Sequence, residues 1–63
     1  MATHEQRVVD ELDELNLKVH YIESFIISDV FKSLNPVDRS LLIQQQACME
    51  TYCLILNQRI SRF

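Results

Sequence analysis

The sequence predicts an all-α fold, an antiparallel helical hairpin whose two long helices are joined by a short helical connection. Three observations predict it. Apolar residues fall at heptad spacing along both halves of the chain. The two periodic stretches have matched lengths. Between them sits Asn35-Pro36, a helix-start signal, in a chain of 63 residues that holds no glycine.

The first helix is expected over about 4–27. Thr3 with Gln6 three residues on reads as a capping box. From Val8 the apolar positions are Leu12, Leu15, Val19, Ile22 and Ile26, with steps alternating between four and three. Asp10, Glu11, Asp13, Glu14, Lys18 and Glu23 lie between them as a solvated face.

Residues 28–35 form the expected connection. Ser28 and Asp29 can end the first helix through side-chain bonds to backbone. Val30 to Leu34 then make a short helical turn. Phe31 and Leu34 fold over the end of the bundle with Phe25 below them, an apolar lid. The reversal is spread over several residues, so glycine is not required.

The second helix is expected over about 36–61. Asn35 caps it, Pro36 takes the first position, and Asp38 in the first turn suits the helix dipole. Leu42, Met49, Leu56 and Phe63 are seven apart, with Gln45, Tyr52 and Arg59 at the companion heptad position. Leu41, Cys48 and Ile55 on one flank, and Cys53 and Ile60 on another, widen the apolar surface. Each helix is roughly 37 Å long at about 1.5 Å per residue. The acidic first half of helix one should lie beside Arg59 and Arg62, an exposed attraction worth little energy that still favours the antiparallel direction.

A single hairpin covers one stripe on each helix and leaves much apolar surface in water, which marks an interaction surface. A homodimer or higher oligomer, two hairpins in a four-helix bundle, is therefore expected. Its interface residues are Leu12, Leu15, Val19, Ile22, Ile26, Leu42, Met49, Tyr52, Leu56 and Ile60.

Composition narrows the function. One small domain with net charge −3 is a poor match for a phosphate backbone, so nucleic acid is not an expected partner. No apolar leader follows Met1 and no apolar run is long enough to span a membrane, so a cytoplasmic location is expected. Cys48 and Cys53 point to different faces of one helix and read as buried free thiols. His4 and His20 are about 24 Å apart along a helix and cannot share a metal. With no Gly-rich phosphate loop and no nucleophile elbow, neither enzymatic activity nor any cofactor is expected. For a ligand, the candidates are Lys32 and Arg39 near the start of the second helix, and Gln45. Asp29 and Asp38 compete for the two cations. Gln45 is read either as a buried amide that fixes register or as a ligand-bonding group inside the bundle.

Several segments together, E-x-x-E-L at 11–15, F-I-x-S-D-x-F at 25–31, D-R-x-L-L-x-x-Q at 38–45, M-x-x-Y at 49–52 and L-x-x-R-I at 56–60, resemble a family of small proteins of tailed phages and prophages. That family takes its name from an open reading frame of a crAss-like phage. The resemblance implies phage origin and a bacterial cytoplasm, and transfers no functional residue. In size and architecture alone, the hairpin is also similar to phage proteins that sequester cyclic-nucleotide immune signals. The first expectation is a non-enzymatic accessory protein acting on a host or phage protein. The alternative is a sponge that holds a nucleotide signal between subunits.

Overall fold

The computed structural model describes residues 3–63. Its element order is α1 (His4–Ile26), α2 (Asp29–Ser33) and α3 (Pro36–Ile60). The long helices run antiparallel, with His4 beside Arg59 and, seven residues further along α1, Glu11 beside Tyr52. The molecule is a rod of 44 × 18 × 14 Å with a radius of gyration of 14.5 Å. A compact chain of this length would have roughly 11 Å.

Thr3 caps α1 by accepting the Gln6 amide proton at 3.1 Å. Gln6 does not complete the expected reciprocal box, because its side-chain amide reaches forward to Asp10 at 3.0 Å. Ile27 ends α1, and Ser28 caps α2 by accepting from the Phe31 amide. Leu34 and Asn35 are both extended. Asn35 accepts the Asp38 amide proton at 2.9 Å and donates its own side-chain amide to the Asp38 carboxylate at 2.8 Å. Among the described residues none has a positive φ. The chain reverses through three extended residues, Ser28, Leu34 and Asn35, and a five-residue helix, and so needs no glycine.

Phe25 and Phe31 meet edge to face at 6.3 Å between centroids. Phe25, Phe31 and Leu34 are all half-buried.

The core sits toward the open end of the hairpin. Val8, Leu12 and Leu56 form its buried cluster, packed by Leu15, Cys53 and Ile60. Ile22 is buried separately, toward the turn. On α1 the inward side is Val8, Leu12, Leu15, Val19, Ile22 and Ile26.

On α3 the inward side differs from the expected one. Arg39, Leu42, Gln46, Met49, Cys53, Leu56 and Ile60 are buried or half-buried, whereas Gln45, Tyr52 and Arg59 are exposed. The companion heptad position is one residue later than the spacing suggested. Gln46, not Gln45, is the amide at the seam. Cys48 is also exposed, against the expectation of a buried thiol. Among the described residues, no ion pair within 4.0 Å joins the long helices. The cross-helix polar contacts are instead Tyr52 with Glu11, Arg59 with His4, and the Cys53 thiol with the Asn16 side-chain oxygen.

Candidate functional site

Four helical positions on α1 and three on α3 line an open hollow of about 550 Å³ in the half of the hairpin nearer the turn: Lys18, Tyr21, Ile22 and Phe25 face Leu42, Gln45 and Met49. The helical repeat explains the grouping. Lys18, Tyr21 or Ile22, and Phe25 are three or four apart, as are Leu42, Gln45 and Met49, so each set lies along one side of its helix. Ile22 is the buried floor. Gln45 is exposed at the rim, its amide 3.9 Å from the Met49 sulfur, a weak contact that leaves the amide available. Tyr21 is 70% exposed, so its ring is a wall open to solvent rather than part of the core.

A second hollow, of about 350 Å³, lies beside the start of α3 and is lined by Phe31, Pro36, Arg39 and Gln44 among others. The Arg39 Nε is buried there and makes no hydrogen bond. Lys32 does not join it. Lys32 is exposed and pairs with Asp29 at 3.8 Å. The three residues suggested for ligand contact are therefore dispersed: Gln45 in the larger hollow, Arg39 in the smaller, Lys32 in neither. Sequence spacing missed Lys18 as the cation beside Gln45, because the α3 register was displaced by one residue.

At the other end, Tyr52 donates its hydroxyl proton to Glu11, at 2.6 and 2.8 Å from the two carboxylate oxygens. That hydrogen bond holds the phenol above its ordinary pKa. Partial desolvation and the Glu11 charge add to the effect, and Arg59 opposes it. Among the described residues no group of three or more His, Cys, Asp or Glu side chains is placed to hold a metal ion. No described helix is long and apolar enough to cross a membrane.

Comparison with known proteins adds a family. The sequence model of the Sequestin family matches residues 2–62, nearly the whole chain. The chain belongs to the Sequestin family. This Sequestin member is also 33% identical, over 63 residues, to the "Uncharacterized 7.5 kDa protein in denB-rIIB intergenic region" of Enterobacteria phage T4. The match covers 100% of this chain and 98% of the relative. Kinship with small phage proteins thus stands, while the link to crAss-like phages is a finer statement that these matches do not carry. No solved structure matches this Sequestin member.

Proposed function

We propose that this chain is a non-enzymatic phage protein that sequesters a small nucleotide-type ligand, of the cyclic-nucleotide kind used as an immune signal, in an oligomer of hairpins. The hollow of Lys18, Tyr21, Phe25 and Gln45 carries the reading. It brings together the group types a nucleotide requires. An ammonium suits a phosphate, aromatic rings can stack on a base, and a side-chain amide can bond a base edge. The family name points the same way, toward holding rather than converting. An overall charge of −3 disfavours a long phosphate backbone, but a small anion needs only the local cation.

Thermal melts with a panel of cyclic dinucleotides, cyclic trinucleotides and cyclic ADP-ribose variants test it. A true ligand at 100 times its Kd stabilises the fold by about 2.7 kcal/mol. For a chain this small that is a rise of roughly 10 °C or more. Denaturing the complex should return the ligand chemically unchanged. Lys18→Ala and Tyr21→Ala should abolish the rise. A flat response across the panel, or full shifts in both variants, would sink the proposal.

The exposed apolar side of α3 favours a second reading, a module that acts on a host or phage protein. A stoichiometric host partner recovered with purified chain, in the absence of any ligand response, would put that reading first.

A further inference from the structure

The open end of the hairpin carries a hollow that the sequestration reading does not use. His4, Arg7 and Glu11 stand three and four apart on one side of α1 and face Arg59 of α3. With Val8 as the buried floor, they line an open space of about 330 Å³. The chain has a net charge of −3, yet this hollow gathers two guanidiniums against one carboxylate. Among the described residues, neither guanidinium has an ion pair within 4.0 Å. The neighbouring acids on α1 are engaged elsewhere. Glu11 accepts the Tyr52 hydroxyl, at 2.6 and 2.8 Å from its two oxygens, and Asp10 accepts the Gln6 side-chain amide at 3.0 Å.

We infer that this hollow binds a phosphate group, clamped between the long helices by Arg7, Arg59 and His4. The donor set selects the ligand. Two guanidiniums and an imidazole converge from two helices, which suits a tetrahedral oxyanion better than a planar carboxylate with its two oxygens. His4 joins the set by an exchange. Arginine has donors only, so the Arg59 Nη2 that lies 3.3 Å from His4 Nε2 donates to it. His4 is there a neutral ring with its proton on Nδ1. The contact is long for a hydrogen bond, and a phosphate oxygen is the stronger, charged acceptor. When the anion arrives, Arg59 turns this N–H to it, Nε2 takes one proton from solvent, and the imidazolium becomes the third donor. The charged or titratable groups that line the hollow with His4 are Arg7 and Glu11 on α1 and Arg59 on α3, with Tyr52 bonded to Glu11. A doubly charged phosphate offsets the positive charge that this exchange adds.

This site is separate from the Lys18–Gln45 hollow. Lys18 lies fourteen residues beyond His4 on α1, roughly 21 Å along the axis at about 1.5 Å per residue, so one phosphate cannot use both. The inference goes beyond the sequestration proposal and stands or falls without it. A phosphate held here ties the first turn of α1 to the last turn of α3.

The test is a titration of the full chain with sodium phosphate at neutral pH and constant ionic strength, read by nuclear magnetic resonance at the arginine Nε–H and histidine ring signals. Arg7, Arg59 and His4 should shift saturably at millimolar phosphate, and sodium acetate should leave them nearly still. Lys18→Ala should keep the response. Arg7→Gln with Arg59→Gln should lose it, and because both residues are exposed, helical circular dichroism should be retained. Sulfate, a tetrahedral anion that does not titrate near neutral pH, reads the proton. Calorimetry with it in two buffers of different ionisation enthalpy should show proton uptake, absent in His4→Gln. Glycerol 3-phosphate separates two sources of the same chemistry: tighter binding than inorganic phosphate assigns a phosphate monoester, weaker binding a free phosphate. Shifts that rise linearly as they do with sodium chloride, or that survive in the double arginine variant, overturn the inference and leave ionic screening only. Acetate binding as well as phosphate overturns the ligand class, and binding without proton uptake overturns the exchange at His4.

Discussion

Tyr52 shows how one side chain reports on the register of the whole hairpin. Its hydroxyl reaches Glu11 only when α3 presents Tyr52 at the edge of the seam rather than inside it. The raised phenol pKa has a definite sign. The folded state holds the proton more tightly than the unfolded chain, so the contribution to stability is complete below the unfolded value of about 10. It is lost as pH rises through the higher folded value. Tyr52→Phe should therefore be less stable than wild type in urea at neutral pH. The gap should close at strongly alkaline pH, and ultraviolet titration should lose the phenolate step at higher pH. An unchanged gap at alkaline pH would mean that the ring's packing, not its hydrogen bond, is responsible. Gln45 and Gln46 make the complementary point. Adjacent amides are indistinguishable by type, yet only Gln46 is half-buried at the seam, which frees Gln45 to line the hollow.

The connection between the long helices is the element most fully legible in the sequence. Asn35 caps α3 as its type suggests, and Ser28, expected to end α1, donates to the Phe25 carbonyl there and also accepts the Phe31 amide at the start of α2; Asp29, expected to help end α1, instead pairs with Lys32. Pro36 holds Asn35 extended, as a proline does to its predecessor. What the order of residues did not reveal is that Phe31, expected over Phe25, also faces the start of α3. The ring packs edge to face with Phe25 and also borders the hollow at Pro36 and Arg39, so it joins the end of α1 to the beginning of α3. Phe31→Asp should destabilise the hairpin by about 1–3 kcal/mol, the range for losing a partly buried contact and placing a charge beside it. Circular dichroism melts read this directly; wild-type melting would show that α2 is merely a spacer.

Taken whole, the molecule has a thin core. Leu56 is the side chain buried to 0% exposure, with Val8, Leu12 and Ile22 close behind. Small domains have little margin, so Leu56→Ala, at about 2–5 kcal/mol, should unfold most of the population at room temperature. A modest drop in melting temperature would instead show that association supplies more of the stability than the hairpin core. The sequence by itself determined the helices, their caps, the glycine-free reversal and the inward side of α1. It could do so because α1 has one apolar stripe opposite a charged face, which admits one solution. Only the tertiary structure decided the inward side of α3. Leu42, Met49 and Leu56 can be completed either by Gln45 and Tyr52 or by Gln46, Cys53 and Ile60, and a helix that is apolar on two sides has no preferred orientation until a neighbour chooses one. Packing against α1 chose the second set, because Cys53 and Ile60 pack against the cluster of Val8, Leu12 and Leu56 while Tyr52 keeps its hydroxyl in reach of Glu11. That choice turned Gln45 toward Lys18 and Tyr21, and left Leu41, Cys48 and Ile55 facing outward.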